Sequence, residues 1–116
     1  MRATMYGIKA CDTMKKARAW LDAAGIAYDF HDYKLRGIDE ATLRRWVARV
    51  GWERLVNRAG TTFRKLPEDR RANLDGEAAI RLMQAHPSLI KRPVVEVGDE
   101  LEIGFRPDAY AARFGG

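Results

Sequence analysis

Apolar residues change their spacing from one region of the chain to the next, and each spacing marks a kind of element. Ala3-Thr4-Met5-Tyr6, ended by Gly7, fits a short buried strand. After Cys11 the period becomes helical. Met14, Ala17, Leu21 and Ala24 recur with Lys15, Lys16, Arg18 and Asp22 between them, and Gly25 stands where a C-cap glycine belongs. Residues 28–33 then alternate aromatic with polar side chains, the pattern of a half-exposed strand. Strand, helix and strand within about 30 residues make a βαβ unit, whose crossover is expected to be right-handed.

The middle of the chain reads as helical. Leu43, Trp46, Val47 and Val50 mark one face, with Asp39 placed as an N-cap and Gly51 as a stop. Residues 52–66 carry a broken pattern that predicts short helical turns. Residues 75–85 predict a further helix with Ala79, Ile80, Leu82 and Met83 inward, closed by His86-Pro87. The last third returns to strands. Pro93-Val94-Val95-Glu96-Val97 and Leu101-Glu102-Ile103 flank Gly98-Asp99-Glu100, a hairpin signature. Pro107 suits the first turn of a terminal helix that carries Tyr110 and Phe114 one turn apart. The order βαβ, helical block, ββα is the thioredoxin order with helices inserted at its centre.

Composition narrows the picture further. A chain of 116 residues, 47% hydrophobic and 32% charged, is of single-domain size and globular character. No apolar run approaches the roughly 18 residues that a membrane span requires. The first residues lack the apolar core of a signal peptide, so a cytoplasmic location is expected. The net charge of +5, from 21 Lys+Arg against 16 Asp+Glu, points to anionic partners. Those basic residues are spread along the chain without a nucleic-acid-binding motif, which ranks nucleic acid last among such partners. The single cysteine excludes an internal disulfide and any zinc site built on paired cysteines.

That cysteine is nonetheless the most informative residue. Cys11 lies between a strand end and the first turn of a helix, where unpaired backbone N–H groups and the helix dipole favour thiolate over thiol. Lys9, Lys15 and Lys16 add positive potential. Such settings activate a thiol as a nucleophile. The plain alternative is a small buried residue, because free cysteine is often buried; the loop-to-helix position favours the reactive thiol. In Cys11-Asp12-Thr13-Met14, Met14 stands where a redox Cys-x-x-Cys has its second thiol. Thiol–disulfide exchange needs a second sulfur to release a mixed disulfide. An outside thiol must supply it, most simply glutathione.

Other candidates are weaker on the residues alone. Arg92-Pro93 and Arg106-Pro107 could offer planar guanidinium forks to an oxyanion or carboxylate. In so basic a chain, surface charge is the simpler account. His31 reads as a surface residue and His86 as part of a helix end, and neither has a metal-like partner spacing. Trp20, Trp46 and Trp52 read as packing residues.

Several motifs in order carry a family resemblance. Tyr6-Gly7-Ile8-Lys9-Ala10-Cys11-Asp12-Thr13-Met14-Lys15-Lys16-Ala17 resembles the opening of the ArsC-like (arsenate reductase/Spx) proteins, nearest to their YffB subgroup. Leu55-Val56-Asn57-Arg58, Thr61-Thr62-Phe63-Arg64-Lys65-Leu66, Leu89-Ile90-Lys91-Arg92-Pro93-Val94 and Gly104-Phe105-Arg106-Pro107 look like that subgroup's later motifs. The resemblance implies an α/β thioredoxin-like fold with a mixed four-stranded sheet and a helical insertion. The expected organisation is a single domain, 1–116, with its core at about 1–34 and 86–116 and the insertion at about 35–85. It also implies a glutathione-dependent monothiol reductase acting on an oxidised or glutathionylated thiol or an arsenate-like oxyanion. Cys11 would be the nucleophile, and Pro93 a cis-proline beside it. Lys9, Asp12, Arg92 and Arg106 would hold substrate or glutathione, joined by an arginine of the insertion, Arg58 or else Arg64. Glutathione is the implied co-substrate, with no metal and no nucleotide, and a monomer is expected. The rival implication is a non-catalytic Spx-like regulator that binds a protein partner such as RNA polymerase. Met14 departs from the Cys-x-x-Cys that such regulators often carry.

Overall fold

The computed structural model describes residues 2–9 and 11–115. The chain divides into two compact units, one running to Tyr33 and resuming at Arg92, the other spanning Lys34–Lys91. The first unit is a thioredoxin-like α/β layer. Strands β1 (Arg2–Gly7), β2 (Ala27–Asp32), β3 (Val94–Val97) and β4 (Glu100–Ile103) form a mixed sheet in the order β2-β1-β3-β4. β1 runs parallel to β2 and antiparallel to β3, and β3 and β4 are antiparallel.

Helices α1 (Asp12–Ala23) and α8 (Pro107–Phe114) cover one face of this sheet. Ala3 and Met5 of β1 and Val95 of β3 meet Met14, Ala17 and Leu21 of α1 and Tyr110 and Phe114 of α8 there. Trp20 and Tyr110 join the two helices edge to face, with ring centroids 5.4 Å apart. Each large apolar side chain fully buried in this way contributes about 1.5–3 kcal/mol before entropy is counted.

The predicted helix stop at Gly25 has a defined geometry. The Ile26 N–H donates to the Leu21 carbonyl and the Gly25 N–H to the Asp22 carbonyl, while Gly25 takes φ +72°. These are the paired bonds of a Schellman motif. It ends α1 before Ala24, which is exposed and not part of the buried stripe. The alternation read over 28–33 also extends one residue too far. β2 closes at Asp32, and Tyr33 opens the short helix α2 (Tyr33–Arg36), its ring buried by the turn. The hairpin loop is shorter than its three-residue signature, because Glu100 already pairs with Val97 across the strands. Gly98 meets the remaining turn with φ +57°.

The second unit contains α3 (Glu40–Val50), α4 (Trp52–Leu55), α5 (Thr61–Arg64), α6 (Glu68–Ala72) and α7 (Gly76–Ala85). Asp39 and Asp75 cap α3 and α7 by accepting from the Thr42 and Ala78 N–H groups, each at 2.8 Å. Leu43, Trp46, Leu55, Ala79, Ile80, Leu82, Met83, Leu89 and Ile90 supply its buried apolar side chains. Arg44 clasps Glu77 with two hydrogen bonds and Glu40 with one, joining α3 to α7. Residues after α7 are tied into the same unit. The Asn57 N–H donates to the Leu89 carbonyl and the Lys91 N–H to the Leu55 carbonyl.

Candidate functional site

Cys11 is the N-cap of α1, with extended backbone angles of φ −132° and ψ 130°, and its carbonyl accepts from the Lys15 N–H. The thiol is half-buried and makes no close cap hydrogen bond. Burial alone would push its pKa up. The Met14 N–H, the Arg92 guanidinium and the Thr13 N–H outweigh that effect and hold the thiol below the ordinary cysteine value. Lys9, Asp12, Lys15 and Lys16 are exposed around the same loop and first helical turn.

Gly7 explains how the loop approaches α1 so closely. A Cβ at Gly7 would lie 2.4 Å from Met14 Sδ and 2.7 Å from its Cε. The Met14 side chain, fully buried, occupies the space a side chain at position 7 would need. Methionine, flexible and apolar, suits such an irregular gap.

The Arg92–Pro93 peptide bond is cis, and Pro93 is buried. Arg92 is half-buried against the Cys11 loop, its Cβ within 3.5 Å of a Cβ built on Gly7. The surface-charge account therefore fails for Arg92, because cysteine and arginine come together from opposite ends of the unit. The Pro93 carbonyl accepts from the Gly104 N–H at 2.8 Å, linking this segment to the turn that leads into α8. Gly104 takes φ +80° there. Arg106 follows as the N-cap of α8 and is exposed, reaching Glu102 at 3.4 Å.

On the sheet face opposite Met5, Tyr6 packs against His31, with centroids 4.9 Å apart, and against Tyr33 at 6.5 Å. His31 is thus half-buried in an aromatic cluster instead of lying on the surface. The Tyr33 hydroxyl is buried and has no hydrogen-bond partner among the described residues. Burial holds its phenol well above the ordinary range; Tyr6 adds to the rise and Arg92 opposes it.

Arg58 and Arg64 belong to the second unit. Arg58 lies over the Trp52 ring at 5.0 Å, beside a cavity of about 450 Å³ that Trp52, Phe63 and Arg71 also line. Arg64 closes α5 and is exposed. Among the described residues no group of three or more His, Cys, Asp or Glu could hold a metal ion. Among the described residues no helix is long and apolar enough to cross a membrane.

Two features near these residues were not read from the sequence. Glu102 is buried, and its signal was its place between Leu101 and Ile103 in a strand otherwise read as apolar. Tyr33 carries no comparable signal, since its burial depends on where β2 ends.

Comparison with known proteins places this arrangement. A solved structure of a protein named YffB shares 64% identity, with a TM-score of 0.92 over 95% of this chain and 96% of the other. An arsenate reductase (ArsC) related protein from Brucella melitensis shares 59% identity, with a TM-score of 0.77 over 98% and 95% of the two chains. The global transcriptional regulator Spx of Streptococcus mutans is 26% identical over 111 residues, covering 94% of this chain and 80% of the regulator. Residues 6–113 match the ArsC family along nearly the whole sequence, and the chain belongs to that family.

Proposed function

We propose that this protein is a glutathione-dependent monothiol reductase with the Cys11 thiolate as its nucleophile. The observation that carries the reading is Cys11 at the start of α1, its thiolate favoured by Arg92 and the Met14 and Thr13 N–H groups, with Met14 in place of a second thiol. With a glutathionylated thiol as substrate, the Cys11 sulfur attacks the glutathione sulfur. The old disulfide bond breaks, and the substrate leaves as a thiolate that takes up a proton. A second glutathione then attacks the Cys11–glutathione disulfide, releasing glutathione disulfide and restoring the Cys11 thiolate. The disulfide bond passes from the substrate to glutathione disulfide, so one free glutathione is consumed for each substrate thiol released. An arsenate-like oxyanion is the other substrate class, losing an oxygen as water when sulfur binds arsenic.

Lys9, Arg92 and Arg106 hold the carboxylates of glutathione in this reading, and the cis-linked Pro93 shapes the wall beside them. Asp12 belongs to the same set, as the family resemblance implies. Reaction with glutathione disulfide tests the proposal. Rapid addition of one glutathione to Cys11 at neutral pH, with turnover when reduced glutathione is added, is expected. Modification only in denaturant overturns it.

A second reading draws on the likeness to Spx: a regulator that binds a protein partner such as RNA polymerase without turnover. Partner binding retained by Cys11→Ser, together with a wild type that turns over no glutathione, would favour it.

A further inference from the structure

Strand β4 places a charge on the packed face of the sheet. Glu102 stands opposite Val95, beneath α8, and is only 2% exposed. A carboxylate in such a place is costly unless it is paired and hydrogen-bonded. Both of its oxygens are used. Arg113 Nε reaches Oε2 at 2.5 Å, and Arg106 Nη2 donates to Oε1 at 3.4 Å. The two arginines stand at opposite ends of α8, Arg106 as its N-cap and Arg113 in its last turn.

The two contacts are unequal. Arg113 is close enough for a strong charge-assisted bond and has a second carboxylate, Glu100, at 2.7 Å. Arg106 sits at the outer limit of hydrogen bonding, and its side chain remains 67% exposed. Glu102 is thus neutralised mainly by Arg113. Arg106 is held by one nitrogen, with the rest of its guanidinium turned to solvent.

We propose that Glu102 is a positioning residue for Arg106, tethering one edge of its guanidinium at the start of α8 so that its other N–H groups meet a carboxylate of glutathione. The inference rests on the reading of Arg106 as a glutathione-binding residue. An arginine side chain has much rotamer freedom to lose on binding, and a tether removes part of that cost beforehand. Because Arg113 supplies most of the counter-charge, the tether leaves Arg106 its attraction for an anion.

The test is steady-state reduction of the mixed disulfide of 2-mercaptoethanol and glutathione, with reduced glutathione varied. Glu102→Gln is expected to raise the KM for glutathione about twofold to fivefold, the range of a partly exposed ion pair, with kcat little changed. Glu100→Gln, which removes only the outer partner of Arg113, should leave KM unchanged. In an Arg106→Met background, Glu102→Gln should have no further effect on KM, because its effect passes through Arg106. Should Glu102→Gln fail to fold, Glu102→Asp keeps the buried charge and should raise KM by withdrawing from Arg106. Equal KM effects of Glu102→Gln with and without Arg106 overturn the positioning role alone. A wild type without turnover, or an Arg106→Met variant with unchanged KM, overturns the parent reading and this inference with it.

Discussion

Arg92, the residue before the cis peptide bond, stands against Cys11 at the head of α1, and its guanidinium favours the thiolate. The sheet makes this meeting possible. β1 delivers the loop that carries Cys11, and β3, its antiparallel neighbour, begins two residues after Arg92. One partner comes from the start of the chain and the other from its last third.

Replacing Arg92 with methionine should raise the Cys11 pKa, because a hydrogen-bonding and electrostatic partner of the thiolate is lost while burial still opposes charge. Alkylation by iodoacetamide, followed from pH 5 to pH 10, reads this directly. At neutral pH the variant should react several-fold more slowly than the wild type. The two rates should converge at high pH, where both thiols are ionised.

The same shift makes stability depend on pH. The folded Cys11 pKa lies below the ordinary value of 9.0, so between the two the unfolded chain binds more protons and stability rises with pH. The contribution is fully present above pH 9 and is lost as pH falls through the folded pKa. Chemical denaturation of wild type and Cys11→Ser should therefore show a wild-type advantage that is larger at pH 9.5 than at pH 6. A difference that does not vary with pH contradicts the thiolate assignment.

Gly7→Ala places a Cβ on the Met14 sulfur and methyl. The side chain is flexible but fully buried, so it can yield only by disturbing the packing of α1 on the sheet. A loss of about 1–3 kcal/mol is expected by denaturant titration, the usual size of overpacking. Combined with Met14→Val, which vacates that space, the glycine substitution should cost clearly less than in the wild-type background.

Legibility in the sequence followed the range of the interaction. Asp39 and Gly25 were readable because a cap or a Schellman turn is settled by neighbours a few residues away. Cys11 at a helix start was readable for the same reason. Helix α6 was not, because its residues are all exposed and leave no apolar period to detect. Nor was the burial of Arg92, which depends on β1 and β3 pairing across most of the chain. Glu102 was passed over because strand alternation describes which face a residue occupies, not which cations α8 will bring to it.

The lack of a second thiol in α1 can be tested by supplying one. Cys11 is the N-cap and Met14 the third residue of the helix, the two positions whose side chains each reach the other's backbone N–H in a capping box. A sulfur introduced by Met14→Cys would therefore lie within reach of a glutathione disulfide formed on Cys11. Attack by the new thiolate would form a disulfide between Cys11 and the introduced sulfur and expel glutathione, which takes up a proton. The substitution shortens a buried side chain and should cost about 1–3 kcal/mol, which a folded unit can tolerate. After glutathionylation and removal of excess reagent, the variant should release glutathione without added reductant, whereas the wild-type adduct should persist until an outside thiol arrives. Chromatography of released glutathione, with intact-mass measurement, distinguishes the two. If both adducts persist, the missing second sulfur is not what makes the wild type depend on an external thiol.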